Sequence, residues 1–299
     1  MAKLVLGANK TIVTPAIVKE VSVGPSVPYI PLALDASNAL IKGGAPNIGG
    51  ATDLSDSVLY YAFSGSTTTT GAVDFSSLTK ISGSNACAYA FQNCTGITSV
   101  DLGSLEEISG YNSCRYMFYG CTGITSVNLS SLEEATGMYA CCNMFQGCTG
   151  ITTLDLSALR IVSGASEFGG AFIDCTGLTS VDLSGLETID GVTGLADMFT
   201  RCTGLTTVSF DSLSVLTGAS ALRITFSYCT NLASLYFPAL TSNSFGSYTN
   251  QFNNMLSGVT GCEVHFPSNL QSVIGSWSDV QNGFGGWSTT VSFDLPATE

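Results

Sequence analysis

Eleven cysteines and a single histidine are the side chains of this 299-residue sequence best suited to bind a metal or act as a nucleophile. Six of the cysteines recur at a fixed step of 27 residues, at Cys94, Cys121, Cys148, Cys175, Cys202 and Cys229. A shorter series with the same step contains Cys87, Cys114 and Cys141, and Cys142 follows directly. Thiols in such a pattern could hold a zinc ion or form disulfides.

The regular spacing of these cysteines favours packing over chemistry. Residues repeated at a fixed step lie side by side in a stacked repeat, so their thiols run parallel and do not converge as tetrahedral zinc requires. We therefore expect small buried thiols at one corner of each repeat, with no metal and no cofactor. Disulfides between repeats are compatible with a strand spacing of roughly 4.8 Å, but side-chain direction disfavours them.

The sequence offers little for catalysis. His265 has no nucleophile motif beside it, and the serines occupy repeated positions and not one sharp turn. The sequence contains no phosphate-binding loop, dinucleotide fingerprint or metalloprotease helix motif. We predict a protein that is not an enzyme and has no catalytic residues, and we expect a structural role for His265.

Other columns repeat together with the cysteines and define the framework that positions every candidate side chain. A phenylalanine stands three residues before each cysteine of the longer series, at Phe91, Phe118, Phe145, Phe172, Phe199 and Phe226. Aliphatic residues follow each cysteine, as Ile97, Val100, Leu102 and Leu105 do after Cys94. Stacked coils place equivalent residues over one another, so each column becomes part of one continuous core.

Each repeat contains a short strand between two glycine corners. The alternation Ser99-Val100-Asp101-Leu102 predicts a strand with the valine and the leucine inward. Gly96 and its equivalents precede this strand, and a second series that includes Gly110 and Gly137 lies at the far corner. We expect positive φ at both series. The stretch from the second glycine to the next phenylalanine is expected to form an irregular or short helical side.

The repeat decays at both ends, as capping repeats do. The coil over residues 61–78 lacks the cysteine, and after Leu240 the spacing breaks, with Phe252 one residue early. We predict an N-terminal arm or docking segment over residues 1–55, a solenoid over 56–265 and a C-terminal cap over 266–299. Five of the eight prolines fall within the arm, where proline favours extended segments over helix.

Two units, Met117–Ser130 and Met144–Ser157, resemble the repeats of BspA-like leucine-rich-repeat surface proteins. Six consecutive units match in register, and the resemblance covers about residues 57–265. It implies a β-rich leucine-rich-repeat solenoid of 27-residue repeats, with about seven to eight coils and a cap at each end. It also implies adhesion or host interaction outside the cell, and similar repeats occur on bacteriophage particles.

Charge and hydropathy restrict the partners. The chain has 22 acidic and 9 basic side chains, and its net charge of −13 repels phosphate backbones, so nucleic acid is not an expected partner. No apolar run approaches the roughly 18 residues of a membrane span, so no membrane insertion is expected. The first ten residues hold too short an apolar stretch for a secretory signal.

The outward strand positions form the candidate interaction surface, a column that runs Asp74, Asp101, Asn128, Asp155, Asp182, Ser209 and Tyr236. Like charges stacked at roughly 4.8 Å repel one another. The column therefore indicates either that it binds a cation or a basic group or that its carboxylates cap turn amides.

Aromatic residues outside the repeat columns are a second candidate surface. They are Tyr111, Tyr116, Tyr119, Tyr139, Tyr228, Tyr248, Trp277 and Trp287. Such rings serve both glycan binding and protein interfaces, and their spacing does not decide between the two.

Three functions fit these features. The one we favour is a bacteriophage virion protein, a fibre or decoration protein, whose arm docks on virion proteins and whose solenoid binds a receptor, a protein or glycan on the host surface. The missing export signal and the arm favour this assignment. The alternatives are a bacterial cell-surface adhesin and an enzyme acting on surface glycans, which would need a convergent pair of carboxylates. Association of copies into a homo-oligomer stays open.

Overall fold

The structure, a computed structural model, describes residues 52–55, 59–67 and 69–297. These residues form a parallel β-solenoid of about eight coils, which confirms the predicted leucine-rich-repeat solenoid with its 27-residue step. The arm predicted over residues 1–55 lies outside the described residues apart from its last four. No helix in the described part of the chain is long and apolar enough to cross a membrane.

Up to residue 236, strands alternate along the chain between two faces of the solenoid. The first, here called the strand face, contains β1 (Thr70–Asp74), β3 (Gly96–Asp101), β5 (Ser126–Asn128), β7 (Thr153–Asp155), β9 (Ser180–Asp182), β11 (Thr207–Ser209), β13 (Ser234–Tyr236), β14 (Glu263–Pro267) and β15 (Thr290–Leu295). The second face contains β2 (Lys80–Ile81), β4 (Glu107–Ile108), β6 (Glu134–Ala135), β8 (Ile161–Val162), β10 (Thr188–Ile189) and β12 (Val215–Leu216). All neighbouring pairs are parallel, and Val100 lies opposite Val127 as equivalent residues must.

The sheet of the second face is continuous. Its six strands pair in chain order from β2 to β12. Residues 52–55 extend this face by one coil, because Asp53 pairs with Lys80 and Leu54 N donates to Lys80 O at 3.2 Å. These four residues, which the sequence placed at the end of the arm, therefore lie against the first coil.

The strand face is divided into three separate sheets. The first contains β1, β3 and β5, the second β7 and β9, and the third β11, β13, β14 and β15. Within the second sheet, Thr179 N donates to Thr152 O at 2.9 Å. The equivalent bonds from Thr206 N to Thr179 O and from Thr152 N to Thr125 O are missing within residues 69–297. The coils therefore separate at two gaps on this face alone.

The third face, here called the turn face, consists of stacked turns. A positive φ recurs every four residues, for example at Asn112 (53°), Tyr116 (54°) and Gly120 (69°). Alternate N–H groups donate to the next coil, as Cys114 N does to Ala140 O at 2.8 Å, while those between them close turns within the coil. The sequence predicted an irregular or short helical side, but the structure has a regular series of turns there. Each residue in the left-handed conformation prevents a continuous right-handed helix.

Stacked phenylalanines run through the core between the three faces. The ring centroids of Phe91, Phe118 and Phe145 follow one another at 5.2 Å, with successive rings within 7° of parallel. All three side chains are fully buried. The predicted stacking of Phe118 on Phe145 is therefore confirmed.

The corner glycines allow close approach of the coils, and the expected positive φ was wrong at most of them. Gly96, Gly150 and Gly204 do not have a positive φ. A Cβ atom on Gly150 would lie 2.6 Å from the carbonyl oxygen of Ile124 in the preceding coil, and one on Gly204 equally close to that of Leu178. At the far corner Gly164 does have a positive φ, 101°.

The register changes in the coil before the C-terminal cap. Phe226 N donates to Met255 O, so the position equivalent to Phe226 is Leu256. Phe252 instead follows Leu222, whose N–H donates to Gln251 O at 2.8 Å. Interpreting Phe252 as the repeat phenylalanine one residue early was wrong, because this coil is longer than the others and several residues are inserted before Phe252.

The C-terminal cap adds one further parallel strand to the solenoid. Short 3-10 helices over Ser268–Leu270 and Gly283–Gly285 and two one-turn helices, α1 (Gln271–Ile274) and α2 (Ser278–Gln281), precede β15. β15 pairs with β14 through Val264 and Val291. Phe284 lies fully buried, with its ring 5.4 Å from that of Phe252, and so covers the last layer of the core.

Candidate interaction surfaces

The longer cysteine series packs at one corner of the core, as predicted. Cys121 Sγ donates to Phe91 O at 3.0 Å and Cys148 Sγ to Phe118 O at 3.2 Å. The same bond recurs at every member of the series, which also includes Cys94, Cys175, Cys202 and Cys229. Burial raises the pKa of the Cys121 thiol to about 12, so the thiol stays protonated and able to donate. The spacing alone did not predict this hydrogen bond.

The shorter cysteine series is equally buried. Cys87, Cys114 and Cys141 are inaccessible to solvent and form no disulfide with one another, whereas Cys142 is partly exposed and its Sγ donates to Asn143 Oδ1 at 3.0 Å. Among the described residues, no three His, Cys, Asp or Glu side chains are grouped so that they could hold a metal ion.

One buried carboxyl group interrupts a column of small residues on the turn face. Glu167 is inaccessible to solvent, and its equivalents in neighbouring coils are Ala140 and Gly194. Among the described residues, neither carboxyl oxygen has a hydrogen-bond partner in another residue. Burial, with the nearby charge of Asp190, raises the pKa of this carboxyl to about 8. Glu167 was not among the residues predicted from the sequence, although it is an acid in a column of small residues.

The predicted column of outward residues lies in one line on the strand face. Asp74 is opposite Asp101, Asp155 opposite Asp182, and Ser209 opposite Tyr236. Asn128 follows Asp101 and donates from Nδ2 to Asp101 Oδ1 at 2.9 Å, which relieves the repulsion expected between stacked carboxylates.

The carboxylates of this column cap the turns that follow their strands. Asp155 Oδ1 accepts hydrogen bonds from Ser157 N at 3.0 Å and from Ser157 Oγ at 2.7 Å. These bonds lower the pKa of Asp155, and Ser76 lowers that of Asp74 in the same way. Capping of turn amides, one of the two readings of the column, is therefore present.

The strand face opens into a groove at the gap between β9 and β11. The groove has a volume of about 500 Å³, and its lining includes Asp155, Asp182, Ser209 and Asp211. Val181 is 9% exposed here, against 2% for the equivalent Val100 in an unbroken sheet. The gap thus exposes part of the core edge beside three carboxylates.

His265 continues the outward column and links the last two strands. Its Nδ1 lies 3.0 Å from both carboxylate oxygens of Asp294 on β15, and its ring stacks on Tyr236 at 4.6 Å. Its Nε2 lies 3.6 Å from Glu263 Oε2. These contacts fit the structural role expected for this histidine.

A ladder of tyrosines covers the first coils of the turn face. Tyr61 stacks on Tyr89 with ring centroids 4.4 Å apart, and Tyr89 on Tyr116 at 5.1 Å. All three have positive φ, a conformation that favours glycine, asparagine and aspartate. The same position in the next two coils is occupied by Asn143 and Gly170. The backbone therefore gives no reason for tyrosine.

Further side chains extend the ladder. The Arg115 guanidinium carbon lies 5.2 Å from the ring centroid of Tyr116 and 5.6 Å from that of Tyr139. Tyr60 and Tyr111 are about half exposed. The sequence contains no acid between residues 83 and 93, 110 and 120, or 137 and 147, so this part of the turn face carries no negative charge.

The structure divides the predicted aromatic residues into two groups. Tyr111, Tyr116, Tyr119 and Tyr139 lie at the ladder. Tyr228, Tyr248 and Trp287 are exposed nearer the C-terminal end, and Trp277 packs on Phe245 in the cap. Tyr61 and Tyr89 were not among the predicted aromatic residues, although Tyr89 precedes Tyr116 by the regular step of 27; the step from Tyr61 to Tyr89 is 28.

Comparison with known proteins agrees with the observed repeat. The family described as the BspA type leucine-rich-repeat region, in six copies, matches residues 87–217 and 169–276, more than half of the chain. No curated protein is significantly similar to the sequence. Among solved structures, a leucine-rich repeat protein from Bacteroides ovatus is similar, with 16% identity over 80% of this chain and 87% of that chain and a TM-score of 0.23.

Proposed function

The chain belongs to the BspA-type leucine-rich-repeat family, and from this premise we propose that it is a non-enzymatic adhesion module that recognises another macromolecule through its strand face. Repeat families of this kind present long surfaces built from the outward residues of many coils. Protein interaction or adhesion is therefore the general role, and the strand face is the surface we assign to it.

The groove at the gap between β9 and β11 carries this proposal. It lies within the column of outward residues, and Asp155, Asp182 and Asp211 at its edge are all exposed. Thr206 N and Thr179 O, which would join the two strands in an unbroken sheet, do not bond each other. The groove thus combines negative charge with a break in the backbone hydrogen bonding between β9 and β11.

Charge complementarity favours a partner that presents basic side chains. Three carboxylates on one edge attract lysine or arginine and repel acidic surfaces. The second face offers an internal comparison, because Glu106, Glu133 and Asp190 are also exposed and carry the same charge.

A binding assay on intact cells tests the proposal. The labelled full chain is incubated with bacterial and epithelial cells, and bound label is measured by flow cytometry. The triple variant Asp155→Asn, Asp182→Asn, Asp211→Asn is expected to bind more weakly, with a half-saturating concentration at least tenfold higher. The matched variant Glu106→Gln, Glu133→Gln, Asp190→Asn should bind as the unmodified chain does. Equal binding by both variants, or no binding of the unmodified chain to any cell, would overturn the proposal.

The assignment to a bacteriophage virion through residues 1–55 stays a prediction, as does the alternative location on a bacterial cell surface. Deletion of residues 1–51, which leaves the four residues bonded to the first coil, tests the virion anchor. If the arm is a virion anchor, the shortened chain will be missing from purified particles. Its retention there would contradict the anchor.

A further inference from the structure

The tyrosine ladder ends in a step between two coils of the turn face. Tyr116 is followed in its column by Asn143 and then Gly170. In the neighbouring column, Tyr139 is followed by Ser166 and then Thr193. Tyrosine therefore gives way to smaller residues in both columns, one coil earlier in the first column than in the second, and the side chains beyond this step are small.

A cavity of about 220 Å³ lies at this step. It has room for about seven water molecules at roughly 30 Å³ each, which is in the range of a single sugar ring. Its lining includes Tyr139, Asn143, Ser166, Gly170, Asp197 and Arg223.

Tyr139 lines this cavity. Its other neighbours belong to the preceding coil: Arg115, at 5.6 Å from the ring centroid, and Tyr111, edge-on at 6.3 Å. In the following coil the equivalent residue is Ser166, so no ring in the described part of the chain stacks on that side. Tyr89, in contrast, is stacked on both sides.

The polar groups around the cavity balance in charge and include both donors and acceptors. Arg223 Nη1 lies 3.8 Å from Asp197 Oδ2, and the Ser166 and Thr193 hydroxyls bond each other at 2.6 Å. Burial raises the pKa of the Asp197 carboxyl, while Arg223 and Arg201 oppose this shift. The Asp197 carboxylate would repel a phosphate or sulfate in the cavity, and the Arg223 guanidinium would repel a protonated amine. A neutral ligand with many hydroxyl groups is repelled by neither group.

We propose that this cavity binds one neutral sugar ring of a glycan, with the apolar face of the sugar on Tyr139 and its hydroxyls bonded to Asn143, Asp197 and Arg223. An aromatic wall with a few convergent polar groups is the usual composition of a small-ligand pocket. The site lies on the turn face and is separate from the groove of the strand face, so the chain has two independent binding surfaces.

Saturation-transfer NMR and calorimetry on the full chain test the site. The probes are methyl glycosides of glucose, galactose, mannose, N-acetylglucosamine and N-acetylgalactosamine at millimolar concentration, with a glucuronide and glucosamine as charged counterparts. At least one neutral glycoside is expected to saturate the chain. Tyr139→Ser should weaken its binding at least tenfold, and folding should be retained because Ser166 occupies the same position one coil later.

The matched control is Tyr228→Asn, which removes an exposed tyrosine of the same face, at a position where another coil has Asn93. It should leave glycoside binding unchanged, as should the strand-face triple variant. The proposal fails if no neutral glycoside binds, if only the charged sugars bind, or if both tyrosine variants weaken binding equally. Because the strand-face variant is included, failure of the adhesion proposal and failure of this one give different results.

Discussion

The thiol of Cys148 donates a hydrogen bond to the backbone carbonyl oxygen of Phe118 in the preceding coil, at a sulfur–oxygen distance of 3.2 Å. That carbonyl also accepts from Cys121 N within its own coil. The repeated cysteine therefore joins two coils as well as filling a corner. In one coil a hydroxyl makes the same kind of contact, from Thr225 Oγ1 to Leu195 O at 3.0 Å.

Replacing Cys148 with alanine is expected to lower the free energy of unfolding by about 1 to 2 kcal/mol, because the donor is lost and a small void remains. Cys148→Ser keeps a donor and should be less damaging. Cys142→Ala, at the partly exposed cysteine, should change stability by less than about 0.5 kcal/mol. Urea denaturation followed by circular dichroism measures all three, and a serine variant no more stable than the alanine variant would contradict the role of the bond.

Glu167 should make stability depend on pH. Its pKa is raised from 4.5 to about 8, so the folded state favours the protonated form. The contribution of Glu167 to stability is then greatest below about pH 4.5 and falls as the pH rises towards 8, by on the order of a few kcal/mol. Glu167→Gln has no proton to lose, and its unfolding midpoint should change much less between pH 6 and pH 9. The exposed Glu106→Gln serves as control; if it flattens the pH dependence as much as Glu167→Gln does, Glu167 is not the source.

Gly150→Ala should be strongly destabilising, although the φ of Gly150 suits any residue. The new Cβ would lie 2.6 Å from Ile124 O, so the coils must separate, and we expect a loss of about 2 to 4 kcal/mol. Gly65 has a φ of 73° but nothing within 4 Å of a Cβ. Gly65→Ala should cost only about 1 kcal/mol of left-handed strain. Thermal unfolding of the two variants compares them, and the reverse order would show that conformation and not contact selects these glycines.

Asp155 should contribute stability that is lost in acid. Hydrogen bonds from Ser157 lower the pKa of Asp155 below 3.8, so the contribution is present above that pH and disappears as the pH falls through the folded-state value. Asp155→Ala should lower the free energy of unfolding by about 1 kcal/mol at pH 7. Asp155→Asn should lose less, because Asn128 caps Ser130 in the same way. Urea midpoints at pH 7 and pH 3 measure the difference, which should shrink at the lower pH.

The parts of the fold set by stacking could be predicted from the sequence. A constant step of 27 residues puts Phe118 over Phe145 and Asp155 beside Asp182, because equivalent residues of successive coils must align. The burial of the repeated cysteines follows from the same alignment. The two corners of each coil were also located correctly, since glycine marks them whatever the reason for glycine.

The errors and omissions arose where contacts between coils decide the outcome. At Gly150, glycine is required because a backbone carbonyl of the preceding coil lies too close for a Cβ atom. The sequence does not distinguish such a glycine from one required by a positive φ. Phe252 was assigned to the wrong column because the inserted residues before it do not show in a fixed step. The step of 28 between Tyr61 and Tyr89 departs from the fixed step in the same way. The gaps between the three sheets depend on backbone hydrogen bonds between coils, which the repeat pattern does not predict.

The two gaps give the solenoid an uneven stiffness. Backbone hydrogen bonds tie every coil to the next along the second face, from β2 to β12, but they stop twice on the strand face. Bending the solenoid so that the strand face opens therefore breaks no main-chain hydrogen bond of that face at two places. These places lie on either side of the pair β7 and β9. A force on a partner bound at the strand face would therefore widen the gaps there, while the hydrogen-bonded second face keeps its length.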